Sequence, residues 1–300
     1  MGELLLVAVT GFVASLIDGA LGMGFGPTSA TILLNTGLSP VAVSTTVNLA
    51  KFATGLAAAI SHWRFDNIDH RLVVRLAVPG MVGAVLGVTI LAIVDADTLK
   101  PILAGLLMLV GLRVLVRFSR RIETRAHDDG SGPPRFEVHG TAIAAAVGGV
   151  TNGLVGTWGP VVTPFLLHRG VPPRYAIGSV NTAEVAVAVV AGGSLLASVG
   201  GDGIDVSTVA AMLIGGVVAS PLAAWLIKYL PVRVLGLGVA ALLLLANARE
   251  LADWAGLGAV RWVAYAVIVA SLAVAAVRPR LATRSGKFLH RDASAASAET

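Results

Sequence analysis

The sequence predicts an all-α membrane protein that crosses the bilayer several times and consists of two inverted repeats. The first observation behind this fold class is composition: of 300 residues, 56% are hydrophobic and 13% are charged, whereas about a quarter of the residues in a soluble domain are charged. The second is the recurrence of apolar runs of about 20 residues, the length that a helix needs to cross the hydrocarbon core. The third is a duplicated pattern of Gly, Pro and polar residues.

The duplicated pattern covers one stretch in each half of the chain. From Gly26 and Gly159 onward, equivalent positions lie 133 residues apart, and before them the separation is 134 residues. The equivalent pairs are Asp18/Asn152, Gly22/Gly156, Gly26/Gly159, Pro27/Pro160, Gly37/Gly170, Pro40/Pro173, Asn48/Asn181 and Lys51/Glu184. A repeat whose apolar segments are broken by Gly and Pro at matching places is typical of transporters, which bind their substrates at such breaks.

The first repeat is predicted to cover residues 1–117. Its first segment, 3–34, is about 30 residues long, which is about 45 Å as one helix and too long for a single crossing. The Gly-rich stretch GALGMGFGP interrupts this segment, and lipid cannot satisfy the backbone groups that such a break frees. We therefore expect a re-entrant hairpin, which enters and leaves the membrane on one side. Three crossings follow, at 40–60, 73–94 and 98–117.

The second repeat is predicted to cover residues 138–250, after a polar linker at 118–137 that cannot cross the membrane. Its first segment, 138–167, is again about 30 residues long. The stretch GLVGTWGP breaks this segment, so we expect a second re-entrant hairpin. Three crossings follow, at 174–199, 206–227 and 232–250. After the second repeat, the segment 251–277 is predicted to contain an extra transmembrane helix at 259–277. A basic tail at 278–300 ends the sequence.

Loop charges predict that the two repeats have opposite orientations in the membrane. In the first half the loop 61–75 is basic and the turn 95–100 is mainly acidic, whereas in the second half the turns 168–174 and 228–233 are basic and the turn 200–205 is acidic. Because basic loops stay in the cytoplasm, equivalent loops should lie on opposite sides. The basic linker and tail should be cytoplasmic, and the N-terminus should be outside. In a rival model, every segment crosses the membrane once.

The tips of the two hairpins are predicted to meet near the membrane midplane and to form a substrate site. Short helices that begin at Pro27 and Pro160 would direct their N-termini inward, where free N–H groups and the helix dipole favour an anion. The predicted substrate-binding residues are Asp18, Gly22, Gly24, Gly26, Thr45, Asn48, Lys51, Asn152, Gly156, Thr157, Trp158, Gly159, Ser179, Asn181 and Glu184. The alternative is that the glycines and hydroxyls only allow helices to pack closely, and that Trp158 fills the interior instead of lining a gate.

Lys51 and Glu184 form the most informative of the equivalent pairs. Each follows the proline that begins its helix by 11 residues, which is about 16 Å along a helix and close to the midplane. Ionisable groups at this depth are costly and indicate a functional site. Lys51 would oppose the charge of an anionic substrate, while Glu184 or Asp18 would carry a coupled proton. The alternative is a structural ion pair that links the repeats.

Several classes of function are excluded by the composition. The chain has no Cys, which excludes disulfides, thiolate metal sites and cysteine nucleophiles. No two His residues have metal-ligand spacing, and no Gly-x-Ser-x-Gly motif is present, so we expect neither an enzyme nor a metal or other cofactor. The net charge of +5 lies in the loops and the tail. The cytoplasmic bias of basic residues explains it, and it indicates no nucleic-acid partner.

The two copies of the pattern resemble the TauE/SafE family of sulfite exporters, over roughly residues 3–275. The motifs are Gly22–Pro27, Gly37–Pro40 and Ser44–Asn48 in the first half, and Gly156–Pro160, Gly170–Pro173 and Gly178–Asn181 in the second. The resemblance implies a secondary transporter, an exporter in many members, that moves sulfite or an organosulfonate across the bacterial inner membrane. The exact substrate, the direction, the coupling ion and the oligomeric state stay open. A passive anion channel on the same scaffold is the alternative.

Overall fold

The computed structural model describes residues 2–21, 23–119, 138–199, 205–226 and 232–277, and all regular structure within these ranges is helical. The helices in chain order are α1 (Gly2–Leu21), α2 (Phe25–Asn35), α3 (Pro40–Arg64), α4 (His70–Ile93), α5 (Ala96–Ser119), α6 (Thr141–Val155), α7 (Gly159–His168), α8 (Pro173–Val199), α9 (Val206–Leu226), α10 (Val232–Trp254), a 3-10 turn (Gly258–Val260) and α11 (Arg261–Val277). Residues 120–137 of the predicted linker and the predicted tail lie outside these ranges.

Six helical segments in the described ranges are long and apolar enough to cross a membrane. They are α3, α4, α5, α8, α10 and the segment Gly258–Val277, which contains α11. The prediction of an all-α protein with several membrane-spanning helices is therefore confirmed. The predicted crossing at 40–60 extends to Arg64, because its polar C-terminal turn continues beyond the apolar stretch. At the other end, Ser39 caps α3 by accepting a hydrogen bond from the backbone N–H of Ala42.

Both long apolar segments are broken where their Gly-rich stretches occur, and the chain reverses at each break. We call α1 and α2 the first hairpin, and α6 and α7 the second hairpin. The start of α1 and the residues after α2 line one cavity, so the two ends of the first hairpin lie together. In the second hairpin, Gly140 before α6 lies beside the side chains of Phe165 and Arg169 at the end of α7. Gly156 ends α6 with a φ of +67°, a conformation that favours glycine.

The two halves of the chain interlock through close contacts between small residues. The first helix of each hairpin packs against a helix of the other half, α1 against α9 and α6 against α4. A Cβ atom added at Gly215 of α9 would lie 1.9 Å from the carbonyl oxygen of Ala8, and one at Gly83 of α4 would lie 2.1 Å from that of Ala146. Only glycine allows this separation, and in lipid such close packing is a main force that joins helices.

Equivalent helices of the two halves pack against each other in antiparallel pairs. Along the α3–α8 contact, Leu49 lies beside Gly192 and Gly55 lies beside Val185, so residue numbers rise in one helix as they fall in the other. The α5–α10 contact has the same order, since Gly111 meets Leu243 whereas Phe118, further along α5, meets Gly236 before it in α10. Equivalent helices therefore run in opposite directions.

The molecule has two ends that differ in charge. The turn between α3 and α4 lies beside the start of α8, whereas the turn between α2 and α3 lies beside the starts of α1 and α9. Because these turns are at opposite ends of α3, they mark opposite ends of the molecule. The first carries Arg64, Arg71, Arg75 and Arg174 against Asp66 and Asp69, and we call it the basic end. The second carries Glu3 and Asp205, and we call it the acidic end.

Candidate functional site

The tips of the two hairpins are in direct contact. A Cβ atom added at Gly26, at the start of α2, would lie 1.9 Å from the carbonyl oxygen of Gly156. A Cβ atom at Gly159, at the start of α7, would lie 3.3 Å from the Cβ of Met23. The absence of side chains at these positions is what brings the two breaks together. Gly22, which the sequence predicts in the same cluster, lies outside the described residues.

Lys51 reaches the contact between the two tips. Its ammonium group forms an ion pair with the carboxylate of Glu184 on α8 and donates a hydrogen bond of 3.0 Å to the carbonyl oxygen of Gly156. The two charged side chains are only 9% and 15% exposed. Among the described residues, Lys51 is the one lysine or arginine in the buried class. The single buried cation is thus held between α3, α8 and the second hairpin tip.

Asp18 occupies the N-terminus of α2, where the sequence analysis predicts an anion site. One carboxylate oxygen of Asp18 accepts hydrogen bonds of 2.6 Å and 3.1 Å from the backbone N–H groups of Gly24 and Phe25. The protein therefore supplies its own anion at this helix end, which satisfies two of its free N–H groups. The start of α2, which Asp18 caps, contacts Gly156, whose carbonyl oxygen accepts from Lys51. Asp18, Lys51 and Glu184 together carry a formal charge of −1 when all three are ionised.

Asn48 and Asn152 form a buried amide pair that joins α3 to α6. The side-chain amide of Asn152 donates to the side-chain oxygen of Asn48 at 2.7 Å, and the amide of Asn48 donates to the backbone oxygen of Asn152 at 3.1 Å. Ser44 adds a hydrogen bond of 2.7 Å to the backbone oxygen of Gly153. These contacts fix α3 against the second hairpin, next to its tip.

The equivalent residues of the second half have different partners. Asn181, the counterpart of Asn48, lies 3.4 Å from Nε2 of His62 at the basic end. The hydroxyl of Ser179 accepts a hydrogen bond of 3.0 Å from the backbone N–H of Asp69. Both contacts join the start of α8 to the region where α3 ends and α4 begins. The repeat is therefore symmetric in sequence position but asymmetric in its polar contacts.

Trp158 is fully buried at the second tip and acts as a packing residue in this conformation. Its indole N–H donates to the backbone oxygen of Val180 at 3.2 Å. Its ring fills the space beside Gly80 of α4 and Gly148 of α6, where added Cβ atoms would lie 2.6 Å and 3.1 Å from the ring. The ring therefore supports the tip from behind, through contacts that the sequence does not indicate.

Several buried hydroxyl groups near the helix breaks have no hydrogen-bond partner within the described residues. They belong to Thr28 and Ser29 on α2, Thr157 at the second tip and Thr163 on α7, and the side-chain oxygen of Asn152 likewise accepts no bond. Thr45, by contrast, donates to a backbone oxygen of its own helix. Buried polar groups normally find partners, so these groups are available to a bound polar molecule. The described residues hold no cluster of three His, Asp or Glu for a metal.

The sequence analysis identified most residues of this cluster but missed some partners. The carbonyl oxygen of Gly156 as an acceptor for Lys51, and the backbone of Asp69 as a donor to Ser179, could not be found from sequence. Both are long-range contacts that involve the backbone, and no residue type signals them. The sequence indicates Ser44 only as the first residue of the motif Ser44–Asn48, without its partner Gly153.

Comparison with known proteins places these residues in a family. The family model described as "Sulfite exporter TauE/SafE" matches residues 7–250. The probable membrane transporter protein YtnM of Bacillus subtilis (strain 168) is 36% identical over 270 residues, which cover 89% of this chain and 89% of that protein. No solved structure matches the chain.

Proposed function

The chain belongs to the TauE/SafE family of sulfite exporters, and we propose that it is a secondary transporter that exports a small sulfur-containing anion across the inner membrane. The family and the relative identify a membrane transporter rather than an enzyme. Sulfite or an organosulfonate is the substrate class that the family suggests. The site supports an anion with several oxygen atoms, because the buried ammonium group of Lys51 contacts Gly156, which is followed by Thr157, whose hydroxyl lacks a partner among the described residues.

The observation that carries this proposal is the position of the Lys51 ammonium group at the contact between the two hairpin tips. Glu184 is its counterion, so a substrate anion would have to replace this carboxylate as the partner of Lys51. Protonation of Glu184 would remove the competing charge and free Lys51 for the substrate. This exchange makes a proton the proposed coupling ion, with Glu184 as its carrier. Asp18 is less suited to carry it, because its carboxylate is held by two backbone N–H groups.

Alternating access between two inverted repeats is the proposed transport mechanism. The antiparallel α3–α8 and α5–α10 contacts support inversion, since equivalent helices of inverted repeats must run in opposite directions. Placing the basic end in the cytoplasm follows the bias of basic residues to that side and leaves the start of α1 outside. The two hairpins would then be re-entrant, since both ends of each lie at one end of the molecule.

The acidic end supports export as the direction of transport. Its cavity is lined by Glu3 and Asp205, and the described lining residues include no lysine or arginine. Hydrogen bonds from Ser207 and Thr208 lower the pKa of Asp205, so this carboxylate is charged at neutral pH. Negative charge around a mouth lowers the local concentration of anions. An anion released there is therefore disfavoured from binding again.

The test is flux of radiolabelled sulfite in proteoliposomes that contain the purified protein. We expect Lys51→Ala to abolish sulfite flux, because no other buried cation is described near the tips. We expect Glu184→Gln to retain sulfite binding but to lose the response of flux to a proton gradient. Lys100→Ala, which changes a lysine at the start of α5 whose side chain is 39% exposed, is the matched control and should transport like the parent.

Two results would contradict the proposal. Unchanged flux in both Lys51→Ala and Glu184→Gln would remove this site from the transport path. If sulfite flux through the parent does not depend on the proton gradient and is far faster than the turnover of a carrier, the protein is a passive anion channel instead.

A further inference from the structure

A cavity opens at the acidic end of the structure, whereas the start of α8 is in close contact with the turn between α3 and α4 at the basic end. At the acidic end, a cavity of about 590 Å³ lies between the first hairpin, α3 and the start of α9. It reaches the adjacent residues Thr45 and Thr46 on α3, about a turn and a half before Lys51. The cavity therefore extends from the acidic end toward the helical turn of α3 that precedes Lys51.

At the equivalent place in the second half, the described residues are in close contact with each other. The residues equivalent to Thr45 and Thr46 are Gly178 and Ser179 on α8, each 133 positions later. A Cβ atom added at Gly178 would lie 2.1 Å from the backbone oxygen of Asn67. Ser179 has no exposed surface and accepts a hydrogen bond from the backbone N–H of Asp69 at 3.0 Å. We call this contact between 178–179 and 67–69 the basic-end seam.

We propose that the basic-end seam is the closed cytoplasmic gate of the transport path, and that the cavity lined by Thr45 and Thr46 is the open path on the other side. This inference rests on the proposed transport function and assigns a gating role to Gly178, Ser179 and the turn 67–69. Opening the seam would connect the Lys51–Glu184 pair to the basic end. Closing the cavity at the same time would separate the pair from the acidic end.

Gly178 is the residue on which closure of the seam depends. Helix α8 approaches the turn after α3 so closely at this position that only a hydrogen atom fits between them. At the equivalent position α3 has Thr45, which lines the cavity at the acidic end. A methyl group at Gly178 would therefore oppose the closed state of the seam and leave the open state unaffected.

The test uses maleimide labelling of single cysteines, since the chain has no Cys of its own. One reporter is Thr46→Cys in the cavity, and the other is Ser179→Cys in the seam. Each is combined with Gly178→Ala, or with Gly193→Ala as the matched control. Gly193 lies on the same helix and has no atom within 4 Å of an added Cβ. Labelling is measured on purified protein in micelles, where reagent reaches both ends.

In the parent we expect Thr46→Cys to react faster than Ser179→Cys. Gly178→Ala should raise the rate for Ser179→Cys by about tenfold, equivalent to about 1.4 kcal/mol and within the range that overpacking costs. The same change should lower the rate for Thr46→Cys, and Gly193→Ala should change neither rate. Equal rates for the two reporters in the parent would overturn the proposal, as would a Gly178→Ala effect that is absent or raises both rates alike.

The labelling experiment and the flux experiment fail independently. Labelling needs no substrate. If Gly178→Ala raises the rate for Ser179→Cys and lowers that for Thr46→Cys, but the parent does not transport sulfite, the proposed gate is supported and the proposed substrate is contradicted. If the parent transports sulfite but Gly178→Ala changes neither labelling rate, only the proposed gate is contradicted.

Discussion

The ion pair between Lys51 and Glu184 predicts a specific pattern of stability in a double-mutant cycle. Lys51→Met removes the ammonium group while keeping a side chain of similar length, and leaves the carboxylate of Glu184 without a counterion. Breaking a buried pair in this way destabilises a protein by about 3–5 kcal/mol. Glu184→Gln leaves the ammonium group without a counterion and should also be destabilising. The carbonyl oxygen of Gly156 still accepts from Lys51 in that variant, so its loss should be the smaller of the two.

The double variant Lys51→Met/Glu184→Gln should be more stable than Lys51→Met alone. Neither charge is then buried without a partner, and the main remaining loss is the hydrogen bond to the backbone oxygen of Gly156. An unsatisfied buried carbonyl costs about 1–3 kcal/mol. The two single losses should therefore not add, and their coupling should be at least about 2 kcal/mol, near the upper range for residues in contact.

The assay is unfolding of the four proteins by titration with SDS in mixed micelles, followed by far-ultraviolet circular dichroism. Lys100→Met serves as the control, because its partner Asp97 is 95% exposed and the pair is 3.5 Å apart on the surface. Such a pair contributes little, so the control should unfold like the parent. Additive losses from the two single substitutions, or a double variant less stable than Lys51→Met, would refute the reasoning that the pair is coupled and buried.

Substitutions at three further positions have defined outcomes. Gly26→Ala should lower the free energy of unfolding by about 1–3 kcal/mol, because it overpacks the contact between the tips; the added Cβ would lie 1.9 Å from a carbonyl oxygen. Gly105→Ala is the control: an added Cβ there has no atom within 4 Å, so this variant should not be destabilised in the same SDS titration. Asp18→Ala should cost about 0.5–2 kcal/mol as a lost helix cap while Asp18→Asn keeps most of it, and a larger loss for Asn would contradict the capping role. Trp158→Phe should lower the free energy of unfolding by about 0.5–1.5 kcal/mol, because the hydrogen bond to Val180 is lost. Trp158→Ala should lower it by about 3–5 kcal/mol, because the packing of the ring is lost as well. Equal melting temperatures for the two variants would show that the ring packing does not matter.

The order of the helices could be predicted because each depends on local features of the sequence. Apolar length predicts the crossings, and Gly-rich stretches predict where 3–34 and 138–167 are broken. In the structure these breaks lie between Leu21 and Phe25 and between Val155 and Gly159. Helix ends were less accurate, since capping and polar final turns extend several helices beyond the apolar stretch.

The candidate site could be predicted as a group of residues but not as a set of contacts. Equivalent positions in the repeat led to Lys51 and Glu184, which the structure joins in an ion pair. The same logic would give Asn48 and Asn181 similar partners, yet Asn48 pairs with Asn152 whereas Asn181 lies beside His62. Partners depend on how helices distant in sequence approach each other, which no single segment encodes.

The sequence by itself determined the membrane class and the duplication and predicted the depth of the ionisable pair, because hydropathy, periodicity and spacing along a helix are local properties. Only the tertiary structure decided how the two copies differ. Asp18 on α1 caps the start of α2, Trp158 supports the second tip, and Gly178 brings α8 into close contact with the turn after α3. These differences arise because the interlocked halves place non-equivalent neighbours around equivalent residues, so a symmetric sequence pattern encloses an asymmetric site.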